Sequence, residues 1–449
     1  MRKCVYIETW GCQMNLHQSE GIAGTLEQAG FTISDSLLDA DVVVFNTCAV
    51  RQKAEEKVYG RIGAVAEAKR TRPVVFGLGG CLSQVRGESL LKRFPVIDFL
   101  FGTGDPSALP ALIAAAERGS GRVAHLRRSG QQGSARYRRA SAVTAMVTIT
   151  EGCSMGCSYC VVPRARGPLE SRPPLEILAE VEDLVKAGFK EILLLGQNVD
   201  SYGRDRPEYG DFARLLDGVA RTGIPRVRFT TSHPRDLCPA VLEVIARHDN
   251  VCKHLHLACQ SGSERILAAM NRGYTRAGFL DIVRRAREAV GRINITTDLI
   301  VGYPEESEAD FLETRNLVEE VRFGSLFVAK YSPRPNTWSA RLPDDVPEET
   351  KAARLEELLA LERTIALEEN RKRIGQVIDV LVEGRTRTGL PYGRADDHRT
   401  VAVAGAAEIG EFVSVLIDGA SAAALSGTVL VPSGGARTRK RADPVAHPS

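Results

Sequence analysis

The 449-residue chain predicts an α/β protein with a small all-β part at its end: a doubly wound parallel α/β domain over 1–117, a partial (β/α)6 barrel over 142–368 and a small OB-like closed β-barrel over 369–431. Three observations carry that prediction. Near-continuous β-branched runs alternate with helix-period segments in the first part, the pattern of strands buried on both faces. Six further runs of the same kind recur between Ala142 and Ser332. Beyond Lys372 the period changes to short alternating strands between glycine-rich turns.

In the first part VYIETW, DVVVFNTC and PVVFGLGGC read as parallel strands, with HQSEGIAGTLEQAG and KAEEKVYGRIGAVAEAKR as the helices between them. Residues 118–141 lack either period and read as an arginine- and glycine-rich linker. The six barrel strands are AVTAMVTIT, KEILLLGQN, RVRFTTS, KHLHLACQ, INITTDLIVGYP and GSLFVAKYS, with helices such as SRPPLEILAEVEDLVKAGF and FLDIVRRAREAV between them. A complete barrel has eight such units over ~250 residues, so six predict an open one. IGQVIDVLVEG, RTVAVAG, IGEFVSVLID and SGTVLV form the last barrel. Residues 432–449 hold too little apolar surface to fold.

Composition sets the outer bounds. With 43% hydrophobic and 26% charged residues the chain is an ordinary globular protein, which excludes disordered, collagenous and coiled-coil classes. No apolar run approaches the ~20 residues of a membrane span, and MRKCVYIETW lacks a secretory apolar stretch, so a cytoplasmic location is expected. Net charge is only +3 but unevenly spread. Residues 118–150 carry seven arginines (Arg118, Arg122, Arg127, Arg128, Arg136, Arg138, Arg139) and no acid, and the tail from Pro432 has four basic residues against Asp443. Such local basic stretches suit an anionic partner such as RNA, and equally a solvated linker and tail. The last barrel does not advertise RNA by charge, with seven basic and eight acidic residues over 369–431. Arg371, Lys372, Arg373, Arg385, Arg387 and Arg394 are its candidates for a one-sided patch.

In a reducing compartment ten cysteines point to metal binding, catalysis or core packing rather than to disulfides. Cys153, Cys157 and Cys160 stand in CSMGCSYC just past the first barrel strand. Three thiolates this close on one loop can wrap a single soft-metal centre: an iron–sulfur cluster, zinc or copper. A structural zinc or a saturated cluster wants four ligands; three leave one metal position open. Cys12, Cys48 and Cys81 form a second set, each just past a predicted strand in TWGC, FNTC and GLGGC, 36 and 33 residues apart. Residues beyond the carboxyl ends of parallel strands converge on one crevice, so these three meet in space unless each is an independent buried thiol.

The CxxxCxxC loop after a strand, with Tyr159 before the last cysteine, resembles the radical S-adenosylmethionine (SAM) superfamily. Membership implies that the open iron of a 4Fe–4S cluster chelates SAM, whose reductive cleavage yields a 5'-deoxyadenosyl radical. Two incomplete thiolate sets in adjacent domains resemble, more narrowly, the methylthiotransferases. TWGCQMNLHQSE, FNTCAVRQKAEEKVYGRIG, GGCLSQ, CSMGCSYCVVPRARGPLESR, LLGQNVDSYG, FTTSHPRD, HLHLACQSGSERILAAMNRGYT, DLIVGYPEESEADF and YSPRPNTWSARL are similar to that family's blocks in order. The last barrel resembles its RNA-binding TRAM domain.

GCQMN and NTCAVR resemble the MiaB branch. This implies two 4Fe–4S clusters, on Cys12, Cys48 and Cys81 and on Cys153, Cys157 and Cys160. It further implies transfer of a methylthio group to C2 of N6-isopentenyladenosine at position 37, in a tRNA anticodon stem-loop. One SAM gives the methyl group, a second the radical, and the sulfur passes through the auxiliary cluster. A flavodoxin- or ferredoxin-like electron donor and a monomeric state are expected with it. Departures from the family wording are LHQSE, the lack of proline in HLHLACQSGS, and Trp338 after the PNT turn; none removes a ligand.

Alternatives are a methylthiotransferase for threonylcarbamoyl-adenosine or for a ribosomal-protein aspartate, and a non-catalytic iron–sulfur RNA-binding redox sensor. Gly196, Gln197 and Asn198 at a strand end are candidates to hydrogen-bond SAM, or form a capped turn. Gln260, Ser261 and Asp298 are candidates for SAM or substrate contact. Arg164, Arg166 and Arg172 are candidates for phosphate or the SAM carboxylate. Cys4, Cys238, Cys252 and Cys259 read as structural thiols, and His233, His254 and His256 as hydrogen-bonded strand residues. No catalytic side chain beyond the cluster ligands is assigned.

Overall fold

The computed structural model describes residues 2–50, 52–126, 128 and 137–430. The expectations for Arg127, Arg136 and the 432–449 tail lie outside the described residues.

The first sheet is built from β1 (Cys4–Trp10), β2 (Thr32–Ser34), β3 (Val42–Thr47), β4 (Val75–Gly80), β5 (Phe99–Phe101) and β6 (Val123–His125), in the order β2-β1-β3-β4-β5-β6. All its pairings are parallel. Every residue of β3 is buried, as a β-branched run covered on both faces requires. The covering helices are α1 (Gln13–Gln28), α2 (Gln52–Thr71), the short α3 (Cys81–Arg86) and α4 (Ser89–Arg93), and α5 (Leu109–Glu117). Ile22, Leu26, Leu109 and Ile113 pack on one face, and Val58, Ile62 and Val65 on the other. Strand order reverses between β1 and β3, which opens a crevice at their carboxyl ends.

The linker expected from residue 118 does not begin there. Val123–His125 pairs with β5 and extends the first sheet; three residues among glycines and arginines show no period to read. Farther on, the Arg138 amide donates to the Glu20 carbonyl (3.1 Å), and the Ala140 amide to Glu20 Oε1 (2.9 Å). Arg139 bridges Glu20 (3.2 Å) and Glu180 (3.0 Å). The end of the basic stretch is therefore a strap bonded to α1, not a solvated run.

The second part begins with β7 (Thr144–Thr148) and a short antiparallel pair, β8 (Thr150–Glu151) with β9 (Glu170–Ser171), that frames α6 (Val162–Arg166). Then α7 (Pro174–Lys186), β10 (Glu191–Leu195), α8 (Phe212–Ala220), β11 (Arg226–Phe229), α9 (Pro239–Arg247), β12 (His254–His256), α10 (Glu264–Ala269), α11 (Arg276–Val290), β13 (Asn294–Val301), α12 (Glu308–Val321) and β14 (Ser325–Lys330) follow. β11-β10-β7 and β12-β13-β14 are parallel triplets, joined by single bridges from Val227 to Val251 and Ser232 to Leu257. The result is the six-stranded open arc that the sequence predicts.

Its two faces separate by alternation. Ile192, Leu194, Val227, Phe229, Leu255, Ile295 and Leu299 join the outer core beneath the helices. Leu193 and Leu195 face inward and pack with Met14 of α1. The first domain thus caps the lumen on the β7 and β10 side.

After α13 (Glu348–Arg371) comes a closed five-stranded barrel of β15 (Val377–Arg385), β16 (Pro391–Ala395), β17 (Thr400–Ala404), β18 (Phe412–Ala420) and β19 (Leu425–Val429), in the order β15-β16-β17-β19-β18. β16 is a fifth strand beyond the four expected; its PYGRA sequence holds the two residues that usually argue against a strand. This barrel closes the floor of the arc. Arg226 Nη1 donates to the Arg394 carbonyl (2.7 Å), Asn294 Nδ2 donates to the Asp397 carbonyl (2.8 Å), and the His254 and His398 rings lie 4.8 Å apart. Arg226, His254 and Asn294 are the first residues of their strands, so the contact lies opposite the mouth. No helix among the described residues is long and apolar enough to cross a membrane.

Candidate metal centres and the barrel mouth

Register places Cys12, Cys48 and Cys81 past the ends of three adjacent strands. Trp10 pairs with Thr47 and Thr47 with Gly80, so these three lie in one row across β1, β3 and β4. Cys12, Cys48 and Cys81 follow within two residues of that row, on strands ~4.8 Å apart. Cys12 caps α1 and is exposed, while Cys48 and Cys81 are each 4% exposed. A buried amide pair locks the strand ends. Asn15 Nδ2 donates to Asn46 Oδ1 (3.3 Å) and to the Thr47 carbonyl (3.4 Å), and Asn46 Nδ2 returns a bond to the Asn15 carbonyl (2.9 Å). Gly80, at φ +83°, turns the chain into α3; a Cβ there would lie 2.4 Å from Asn46 Oδ1.

The second trio sits on the loop from β8 to α6. Gly152 has φ +70°, and a Cβ on it would strike the Pro168 carbonyl oxygen at 1.9 Å, so only glycine lets the loop start. The Cys153 amide donates to the Gly167 carbonyl (3.1 Å), the Cys160 amide to the Cys157 carbonyl (3.1 Å), and the Met155 amide to Cys153 Sγ (3.4 Å). Arg272 Nη1 donates to Cys157 Sγ (3.3 Å) and Tyr159 Oη (3.3 Å). Desolvation above all, then the Cys157 charge, pushes the Cys160 thiol up to about 12 against the Val162 amide and Arg272, and desolvation first of all raises Cys153. A metal that replaces these protons removes that cost.

No three His, Cys, Asp or Glu side chains among the described residues converge on one metal ion. A cubane binds each thiolate through a different iron, so its ligands stand farther apart than those of a single ion. Cys153 and Cys157 lie within electrostatic reach of Cys160, and Cys12 and Cys81 within reach of the Arg166 cation, so thiols of each set are candidates to hold such a group.

The sets face each other. α3 packs on α6, and Cys81 with Ala49 shares one apolar cluster with Val161 and Ala165. Arg166, 4% exposed, is bonded to Cys81 and feels the charges of Cys81, Cys12 and Glu151, which keep it cationic. Arg334 stands 3.6 Å from Glu55 and within electrostatic reach of Cys48. Of the three candidate arginines, Arg164 is exposed and Arg172 serves the fold, bonded to the Thr148 carbonyl (2.6 Å) and Glu180 (2.9 Å).

At the mouth, Gln197 Oε1, Asn198 Oδ1, Thr150 Oγ1 and His233 Nε2 are buried without a hydrogen-bond partner. Buried polar atoms at strand ends want partners, and donors and acceptors of this kind are chemically suited to amino, carboxylate and ribose groups. Asn198 Nδ2 donates to Asp236 Oδ2 (2.6 Å), and Asp236 pairs with Arg204 (2.7 Å) and Arg235 (3.2 Å). Asp200 accepts from the His233 amide (3.0 Å), and desolvation above all lifts its carboxyl to about 7. Asp200 and Asp236 have no counterpart among the sequence candidates; their signal was polar residues just past β10 and β11.

Gln260 stands at φ +78°, with its amide bonded to the Asp298 carbonyl (2.8 Å), so its backbone extends the sheet. Ser261 is fully buried and its hydroxyl lies 3.2 Å from Thr314 Oγ1 of α12. Asp298 accepts from His256 Nε2 (3.0 Å). Cys252 and Cys259 are buried, but Cys238 is exposed and Cys4 half-buried. Of the six candidates for a basic patch on the last barrel, Arg373 is buried against Asp397 and Arg394 pairs with Glu383 (3.1 Å), while Arg371, Lys372, Arg385 and Arg387 are exposed.

Residues 147–318 match the radical SAM superfamily, residues 4–102 the uncharacterized protein family UPF0004, and residues 371–430 the TRAM domain. The chain is a radical SAM protein, a class that carries a 4Fe–4S cluster and SAM, with a TRAM domain behind it. It is 45% identical over 392 residues to the tRNA-2-methylthio-N(6)-dimethylallyladenosine synthase of Carboxydothermus hydrogenoformans, across 86% of this chain and 89% of that one. Its identity to the protein of the same name from Geobacter metallireducens is 43% over 408 residues, 90% of this chain and 92% of that one. The chain belongs to this family of tRNA-2-methylthio-N(6)-dimethylallyladenosine synthases, the MiaB proteins. Among solved structures, the radical SAM methyltransferase TsrM of Kitasatospora setae shares the fold at TM-score 0.56 and 15% identity, over 87% of this chain and 77% of that one.

Proposed function

We propose that this chain transfers a methylthio group to C2 of N6-isopentenyladenosine at position 37 of tRNA, giving 2-methylthio-N6-isopentenyladenosine. Cys153, Cys157 and Cys160 hold the SAM-binding 4Fe–4S cluster, and Cys12, Cys48 and Cys81 hold a second. One observation carries this reading: the two thiol sets stand on either side of a single contact, Cys81 against Val161 and Ala165, with the Arg166 cation beside it. Groups held at the two sets could act on one substrate carbon only if the sets are adjacent.

When bound, the clusters and SAM supply the one-electron chemistry that an unactivated aromatic C–H bond requires. The chain's residues do the rest. Asn198, Gln197 and His233 offer buried polar atoms to hold SAM. Arg272 donates to Cys157 and orients Tyr159. Met14 and α1 cover the lumen and exclude water. The TRAM barrel is the RNA-binding part, a flavodoxin or ferredoxin the electron donor, and the enzyme works as a monomer in the cytoplasm. Nucleoside analysis of tRNA from a deletion strain tests this: 2-methylthio-isopentenyladenosine disappears and its unthiolated precursor accumulates. An unchanged level overturns the proposal.

A further inference from the structure

The floor of the arc is closed by the C-terminal barrel and its β7–β10 wall by α1; on the wall of β12, β13 and β14 one aromatic ring stays half-exposed. On β14, Leu326 and Val328 face the outer core, and the strand packs on α13, with Ser325 Oγ and the Leu326 amide both bonded to Glu362 Oε1 (2.8 Å each). Phe327, between them, points the other way and is 48% exposed. An aromatic ring left half-bare in mid-strand inside a lumen gives up the burial that such a side chain ordinarily gains.

Its neighbours on that wall are polar. β13 pairs Asp298 with Phe327, and the inner residues Thr296 and Asp298 bracket His256. His256 Nδ1 lies 2.9 Å from Thr296 Oγ1, its Nε2 3.0 Å from Asp298 Oδ2, and its ring 5.6 Å from that of Phe327 at 70°. The dyad is fixed, yet the Asp298 side chain stays 34% exposed with a free edge toward the lumen. One residue pair farther along β13, Ile300 packs in the cluster that holds Tyr159, so the wall runs up to the radical-generating loop.

We infer that this wall seats the target nucleoside, with Phe327 against its branched alkyl N6-substituent and Asp298, held by His256, accepting a hydrogen bond from a base or ribose donor. A concave site with one aromatic face and few fixed polar groups suits such a ligand. The inference rests on the proposed function and adds the residue that selects an alkylated over a plain adenosine.

The test compares two anticodon stem-loop RNAs, one with isopentenyladenosine and one with adenosine at the target position, on the reconstituted holoenzyme. In the wild type the alkylated RNA binds tighter. F327A reduces that preference about tenfold, and F327L restores most of it. SAM cleavage without RNA, and SAM affinity, stay at wild-type level in both variants. Equal weakening toward both RNAs, no weakening, or a raised KM for SAM overturns the assignment. Failure of the proposed function looks different: the wild type would then make no methylthiolated product from either RNA.

Discussion

Thr103, two residues past β5, donates from Oγ1 to the carbonyl oxygen of Ala165 at 2.9 Å. This bond ties the sheet that carries Cys12, Cys48 and Cys81 to the helix that follows Cys160. Both partners are buried, Thr103 at 2% exposure and Ala165 at 1%. Thr103→Val keeps the shape and strands the carbonyl, at a cost of about 1–3 kcal/mol. We expect a lower thermal midpoint and slower methylthiolation, with SAM cleavage unchanged. Equal loss of both activities would show that the bond does not serve the alignment of the two sets.

The division of labour between the two thiol sets is open to direct test. Anaerobically reconstituted protein should hold about eight irons, two cubanes of four. Cys157→Ala should bring the count to about four and abolish 5'-deoxyadenosine formation. Cys48→Ala should also bring it to about four, yet spare SAM cleavage while abolishing sulfur insertion.

Glu20 is 5% exposed in its side chain and fastens the strap through Arg139 and the Ala140 amide. Desolvation above all raises its carboxyl, so the pairing with Arg139 is needed to keep it charged. Glu20→Ala leaves a partly buried guanidinium with Glu180 as its one acid and the Met146 carbonyl as its other acceptor, and should cost about 3 kcal/mol in denaturant unfolding. Glu27→Ala, which removes an exposed pair with Arg138, should cost well under 1 kcal/mol and serves as the control.

Asp200 gives a pH dependence of definite sign. Its carboxyl is raised from 3.8 to about 7, first by desolvation, so the folded state holds the proton more tightly than the unfolded chain. The stabilisation is full below about pH 4 and is lost as pH rises through about 7. Asp200→Asn removes the ionisation. Its stability relative to wild type should therefore rise from pH 4 to pH 8, read as a difference in urea midpoints. A difference that is flat across this range would refute the assignment.

Much of the fold is legible in the sequence because strand and helix periods are local. The runs at β1, β3 and β4, the six barrel strands and both CxxxCxxC gaps are short-range patterns. β2, β5 and β6 are not legible, since three residues carry too little pattern, and β16 is hidden by its proline and glycine. Among the site residues, the two thiol sets are visible as repeated placement after strands. Asp200, Asp236 and the bare side of Phe327 are not, because burial and exposure at a strand end depend on what packs against it.

The sequence by itself determined that six cysteines fall into two groups of three, each just past strand ends, since chain-local spacing suffices for both. Only the tertiary structure decided that α3 docks on α6, that α1 and the last barrel close two sides of the lumen, and that Arg373 and Arg394 pair with acids of their own barrel. These are contacts between segments tens to hundreds of residues apart. Shape complementarity and desolvation select them, and neither is written in the period of any one segment.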